Sequence, residues 1–342
     1  MLLFFYKTIT MNIKYLLLTT ALLLCSFSVT AEVISQEAFI EQMVTRHHFD
    51  KVELTKLLNK AKVKQSILKI MFRPPPEPGV AKPKPKPWYK YRKQFLTESR
   101  ISKGVQYWRQ NASALKRAEK TYGVPAEIIL AIIGVETIYG RNTGNFRIID
   151  ALTTLAFNYP RRADYFRSEL EHFLLLTREE GMNPLKPKGS YAGAMGLGQF
   201  MPSSFRRYAV DFNGDGKRNI WTNNTDAIGS VANYFKHFGW KTGEPVIKPT
   251  QIRPNAVERL EALNFKPEYT LQQLKPMGLL YHGDESDSTP VMFIDLETEI
   301  GTSYWVGFQN YYVITRYNHS KRYAMAVYHL AQALANRYKS TH

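Results

Sequence analysis

Residues Tyr122 to Gly140 read YGVPAEIILAIIGVETIYG, and this stretch decides the fold. Between Ile128 and Tyr139 the only charged residue is Glu136; the rest are Ile, Leu, Ala, Val, Gly, Thr or Tyr. Pro125 suits the first turn of a helix, and Gly140 suits its end. The run is too short to cross a bilayer and too apolar to lie on a surface, so it predicts a buried core helix. Helical spacing sets Ile129, Ile132, Ile133 and Glu136 along one side. A carboxyl in such surroundings loses hydration, and its pKa rises toward the range of a general acid. The competing reading is a structural Glu paired with a buried Arg.

At 342 residues the chain has room for two or three domains. It is 44% hydrophobic and 22% charged, which fits a globular protein with a sizeable core. The formal charge of +17 and the 21 Tyr and 19 Phe admit three anionic partners: nucleic acid, an anionic membrane face or an anionic polysaccharide. The N-terminus chooses among them. Met11 to Ala31, MNIKYLLLTTALLLCSFSVTA, has a basic start at Lys14, a Leu-rich stretch and a small-residue cleavage site at Val29-Thr30-Ala31. An exported protein with this signal at residues 1–31 does not meet cytoplasmic nucleic acid. Cys25, the only cysteine, lies within the signal, so cleavage after Ala31 leaves no disulfide. Lipidation at Cys25, giving a lipid-anchored outer-membrane protein, is the minority reading, because Leu24 stands where a small residue is usual.

Outward from the central stretch, residues 32–72 form an N-terminal helical region with stripes at Phe39, Ile40 and Met43, at Leu54, Leu57 and Leu58, and at Ile67, Leu68, Ile70 and Met71. Residues 73–87, RPPPEPGVAKPKPKP, form an extended connector, because Pro removes donors and blocks helix. Residues 88–250 form a mainly helical core. Within it, Phe166, Leu170, Phe173 and Leu174 make a buried stripe over Pro160 to Glu180, and Asp226 to His237 is amphipathic. Residues 251–312 form a small α+β region with strands at Pro290 to Ile294 and Tyr304 to Phe308. Residues 313–342 return as a final helix over Met325 to Arg337. The class is mainly α, α+β overall, without internal repeats.

Three further stretches bear chemistry. From Gly189 to Ser204, GSYAGAMGLGQFMPSS lacks the spacing and Lys of a phosphate loop; its glycines allow close backbone approach to a ligand or close helix packing. Asp211 to Asp226, DFNGDGKRNIWTNNTD, sets Asp211, Asn213 and Asp215 at the first, third and fifth positions of a calcium loop, with the Lys217 carbonyl at the seventh. Thr222 takes the place of the usual bidentate Glu, and Asp226 offers the missing carboxylate. Arg316 to Ala326, RYNHSKRYAMA, supplies Tyr317, Asn318 and Tyr323, which with Tyr234 and Tyr91 suit a sugar groove.

In this order the strings GVETIYGRNTG, NYPRRADYF, YAGAMGLGQFMPSSF, DFNGDG, WTNNTDAIGSVANYF and TRYNHS resemble the membrane-bound lytic transglycosylase B family, from about Trp88 to Tyr328. The resemblance implies a lysozyme-like catalytic core with an inserted EF-hand-like calcium loop. It implies periplasmic cleavage of the MurNAc-GlcNAc bond of peptidoglycan, leaving a 1,6-anhydro-MurNAc end. Glu136 matches the family's single catalytic Glu. Tyr91, Arg161, Arg162, Ser190, Gln199, Tyr234, Tyr317, Asn318 and Tyr323 match its glycan-contacting positions. Asp211, Asn213, Asp215, Lys217 and Asp226 match its structural calcium loop, and no organic cofactor is implied. Peptidoglycan strands are the expected partner, with room for other cell-wall enzymes and a peripheral membrane contact. Most glycosidases use two carboxyl groups. Asp150 and Asp164 are the nearest candidates for a second, and both read as surface caps or pairs. The alternatives are a hydrolytic muramidase and a non-catalytic, calcium-stabilised wall-binding protein.

Overall fold

A computed structural model describes residues 34–72 and 85–341. The export segment, Cys25 and most of the proline-rich connector lie outside the described residues.

The helix at the centre runs Ala126–Thr137, with Pro125 in the extended conformation just before it. Ile128 through Gly134 are buried without a break, as the apolar run requires. It does not end at Gly140. Ile138 and Tyr139 both adopt left-handed backbone, φ 53° and 57°, before Gly140 follows at 87°. The Ile138 N–H donates to the Gly134 carbonyl and the Tyr139 N–H reaches back to Ile133, a Schellman closure built without glycine. Thr137 makes this affordable. Its hydroxyl donates toward the Ile133 and Leu197 carbonyls at 3.1 and 2.9 Å and accepts from Gly140 N at 3.0 Å.

Two large apolar clusters make up most of the core, and this helix belongs to the first. The first joins it to the helices Glu98–Gln110, Ala112–Tyr122, Asn224–His237 and Lys321–Ser340. The other gathers Ile148–Asn158, Ala163–Glu179 and Pro202–Tyr208. Phe39, Ile40, Met43, Leu54, Leu58 and Ile67 from the three N-terminal helices belong to that second cluster, so their stripes cover the core. Backbone joins them too: Lys62 N donates to Asp150 Oδ1 and Lys64 N to Thr154 Oγ1, each at 3.0 Å. Asp150 is therefore no surface cap. It is 1% exposed and held by the Arg147 guanidinium at 2.7 Å. Asp164, by contrast, is exposed and paired with Arg167.

The sheet has five antiparallel strands in the spatial order Tyr269–Thr270, Pro290–Glu297, Thr302–Gly307, Ile247–Ile252, Leu279–Leu280. Along Pro290–Glu297 the two-residue alternation serves both faces. Met292, Ile294 and Leu296 enter the central cluster, while Val291 and Phe293 enter a smaller cluster beneath the short helices. The strand Ile247–Ile252 runs across residue 250, where the sequence suggested a boundary.

The glycine-rich stretch forms a wall. Phe146–Arg147 pairs with Lys188–Gly189, and single bridges carry the pairing through Met195 to Phe200. Gly144 sits at φ 90°, and a Cβ there would meet the Gly189 carbonyl oxygen at 2.1 Å. Gly144→Ala is expected to lower stability by at least about 1–2 kcal/mol from backbone strain alone, read as a lower urea midpoint with unchanged slope.

Candidate active site

Glu136 occupies the last turn of the central helix and keeps part of its surface open to solvent. Desolvation pushes its carboxyl up to about 7, partly opposed by the Tyr323 hydroxyl, which donates to Oε1 at 2.5 Å. Tyr323 is set by the first turn of the last helix, whose N-cap Ser320 accepts from Tyr323 N at 3.3 Å. Among the described residues Glu136 has no ion pair, and no second carboxylate contributes to its shift. The buried-Arg alternative is therefore not what the fold builds. The cation near this helix, Arg100, donates to the Gly134 carbonyl and, at 3.2 Å, to the Gln94 carbonyl.

Tyr317 ends the preceding helix. Its hydroxyl donates to the Gly198 carbonyl of the wall, and its high pKa comes first from burial and then from Glu136. Its ring packs against Tyr234 at 4.8 Å, Phe235 at 5.8 Å and Phe200 at 6.0 Å. Tyr234 is 7% exposed, and its hydroxyl is spent on the Arg316 carbonyl at 2.5 Å. Its ring thus buttresses Tyr317 instead of offering a sugar-stacking face. Tyr91 is half-buried beside Phe95 at 5.1 Å; burial raises its hydroxyl pKa, partly opposed by the Arg322 charge and reinforced by Glu136.

Along the wall, the Ser190 hydroxyl accepts from Ala192 N and Ala194 N, at 3.3 and 3.0 Å, and pins the turn. Gln199 takes a left-handed backbone, φ 52°, and its Nε2 donates to Thr143 and Gly196 carbonyls at 3.2 and 2.9 Å. That leaves its Oε1 without a partner among the described residues. Asn318 is exposed next to Tyr317. Arg161 and Arg162 lie in a short exposed turn, Pro160–Arg162; the Arg162 guanidinium stacks 4.1 Å from the Tyr165 ring and makes no contact with the tyrosine cluster. Two contributors carried no signal in the sequence reading. Thr137 ties the acid's helix to the wall through Leu197, and Arg100 ties it to the segment holding Tyr91.

The loop after Pro202–Tyr208 and the first turn of Asn224–His237 bring carboxylate oxygens of Asp211, Asp215 and Asp226 within 4.8 Å of one another. Asp226 is fully buried and accepts from Phe212 N, Asn213 N and Asn219 N. Asp211 accepts from Gly214, Asp215 and Gly216 N–H groups. Asn213 and the Lys217 N–H both bond Asp215. An all-oxygen donor set with three negative charges suits a hard divalent cation. The span from Asp211 to Asp226 exceeds the twelve residues of an EF-hand loop.

The Transglycosylase SLT domain family matches residues 34–332. The membrane-bound lytic murein transglycosylase B of Escherichia coli K12 is 48% identical over 302 residues, covering 87% of this chain and 82% of that one. Among solved structures, the soluble lytic transglycosylase SltB1 of Pseudomonas aeruginosa is 50% identical with a TM-score of 0.83, covering 88% of this chain and 98% of its own. The E. coli lytic transglycosylase Slt35 in complex with calcium is 46% identical with a TM-score of 0.76, covering 88% and 92%. SltB3 of P. aeruginosa, in complex with NAG-NAM-pentapeptide, is 27% identical with a TM-score of 0.76, covering 87% and 78%.

Removing the Tyr323 hydroxyl takes away the one hydrogen bond that favours the Glu136 carboxylate. Such a bond is worth about 1.5–3 kcal/mol, and one pH unit corresponds to about 1.4 kcal/mol. In Tyr323→Phe the Glu136 titration is expected to move upward by about one pH unit or more, measured by carboxyl carbon NMR.

Proposed function

The chain belongs to the Transglycosylase SLT domain family, and from that premise we propose how its site works. It is a lytic transglycosylase, a glycan-cleaving enzyme of peptidoglycan. The observation that carries the mechanism is one desolvated carboxyl, Glu136, with a tyrosine and, among the described residues, no cation or second carboxylate as its partner.

With its carboxyl pushed up to about 7, Glu136 populates both its protonated and its ionised form near neutral pH, so it can give a proton as a general acid and take one back. It donates that proton to the oxygen of the MurNAc-GlcNAc bond, and the bond from C1 to this oxygen breaks. The 2-acetamido carbonyl of MurNAc stabilises the cation at C1 from the opposite face, the substrate-assisted exception to two-carboxylate catalysis. Glu136, now a carboxylate steadied by the Tyr323 hydroxyl, takes the proton of the C6 hydroxyl as that oxygen attacks C1. The products are a 1,6-anhydro-MurNAc end and a free GlcNAc hydroxyl, with no water consumed and Glu136 protonated again. Tyr91, Ser190, Gln199, Tyr317 and Asn318 line the glycan's path, and Tyr234 supports Tyr317 from behind. Arg161 and Arg162 offer planar donors for lactyl or peptide carboxylates.

We assign the oxygen cluster to calcium, the cation with which the relative Slt35 forms a complex. Asp211, Asp215 and Asp226, with Asn213 and the Lys217 carbonyl, would hold it. Its chemistry is structural, neutralising three converging carboxylates. The +17 charge suits an anionic wall polymer, and we place the enzyme in the periplasm, exported by residues 1–31.

Glu136→Gln is expected to fold, bind wall and lose cleavage by at least about a thousandfold. Mass spectrometry of wild-type products is expected to find the anhydro end; ends carrying added water would mean hydrolysis. The same variant tests the pKa. A folded value near 7 against an ordinary 4.5 gives Glu136 a stabilising contribution present below about 4.5 and lost as pH rises through 7. Gln escapes that loss, so its gain in melting temperature over wild type is expected to be larger at pH 8 than at pH 4. Calcium at a hundred times its dissociation constant is expected to stabilise the fold by about 2.7 kcal/mol. Chelation should remove this gain, and Asp226→Ala should not show it.

A further inference from the structure

A cleft begins two residues before Ser190. This cleft, of about 450 Å³, opens between the Met182 to Lys188 loop and the Lys217 to Trp221 segment. Met182, Pro187 and the Trp221 indole give it an apolar lining, Glu180 is its one carboxylate, and the exposed Lys186, Lys188 and Lys217 stand along it. Trp221 is fixed in place. Its indole N–H donates to the Lys188 carbonyl at 3.1 Å, and its ring packs 5.6 Å from Phe205. Arg218, the fourth cation of the lining, is already neutralised by Glu179 and Glu180. The three lysine ammonium groups have no acidic partner among the described residues. Asp215, nearest in sequence to Lys217, is occupied in its own loop by Asn213 and the Lys217 N–H.

Uncompensated ammonium groups around an apolar floor suit a ligand that is carboxylate-bearing and partly aliphatic. The chain path says where that ligand comes from. Lys188 lies in the short strand that continues into Ser190, about 7 Å away along extended backbone. Wall and cleft are thus neighbours along the chain, the placement that a branch of a glycan on the wall would require. The relative SltB3 binds a glycan carrying a pentapeptide, a branch of this chemistry.

We propose that this cleft receives the carboxylate-bearing peptide branch of the wall glycan, with Lys186 and Lys188 pairing its carboxylates and Trp221 packing its aliphatic part. The inference rests on the peptidoglycan reading above.

The test compares wild type with the Lys186→Gln/Lys188→Gln variant, whose exposed side chains make no hydrogen bonds and whose melting temperature is expected to match. Both cleave two soluble glycans, one carrying pentapeptides and one stripped of them. The expected result is a KM about tenfold higher for the variant on pentapeptide strands, about 1.4 kcal/mol, with kcat unchanged and the stripped strands cleaved alike. An unchanged KM on pentapeptide strands overturns the proposal, as does an equal rise on both, which would mean general charge attraction. Tryptophan fluorescence on titration with free pentapeptide gives the second readout. Quenching in wild type that is lost in the double variant supports the cleft, and quenching that survives overturns it. Failure of wild type to cleave either strand would sink the enzymatic reading, and the fluorescence titration would still decide the cleft.

Discussion

Withdrawing water from the Glu136 carboxyl sets its proton affinity, and the surrounding elements are arranged to do that without supplying a compensating charge. The isoleucines of its own helix are all buried and keep water from its flanks. The helix ends one residue later, so the partial negative charge of its last carbonyls also disfavours a carboxylate. Tyr323 alone pushes the other way, because a neutral hydroxyl can support the anion without abolishing the need for a proton. The balance falls near neutrality, where one group can give a proton and take it back.

That balance depends on residues almost two hundred positions away. The last helix carries Tyr323 over the central helix, and the sheet holds its start. Lys321 Nζ bonds both oxygens of Asp295 at 2.7 Å, and the Tyr311 hydroxyl donates to the Lys321 carbonyl at 2.6 Å. Asp295 lies in the long strand whose Ile294 and Leu296 enter the central cluster. The small α+β region is thus wired to the acid through two residues, Asp295 and Lys321. Tyr317 makes the matching link to the glycine-rich wall.

The apolar run from Ile128 announced both the buried helix and the carboxyl inside it, because composition alone excludes a surface position for that segment. The strands around Pro290 and Tyr304 were legible from their β-branched and aromatic runs, and the acidic loop from its spacing. What escaped was set by contacts between distant segments. Nothing local reveals that Asp150 is buried, since the backbone N–H of Lys62 that covers it arrives from 88 residues away and joins Arg147 there. The aromatic character of Tyr234 suggested stacking on sugar, but only the packing of Phe200, Tyr208, Phe238 and Tyr317 around it shows that its face is taken. The helix end moved from Gly140 to Thr137 because the Thr137 hydroxyl supports two left-handed residues that intrinsic preference disfavours.

Arg100 shows why a buried glutamate with an arginine nearby need not be structural. A guanidinium aimed at Glu136 would hold its carboxylate ionised and remove the proton donor. Arg100 instead spends its donors on the Gly134 and Gln94 carbonyls, and its charge is absent from the causes that set Glu136. It thereby satisfies a carbonyl in the helix's final turns and clamps the Tyr91 segment, with its guanidinium 5.4 Å from the Phe95 ring. The same cation that would have silenced the acid, had it approached from the groove side, fixes the acid's position by binding the backbone.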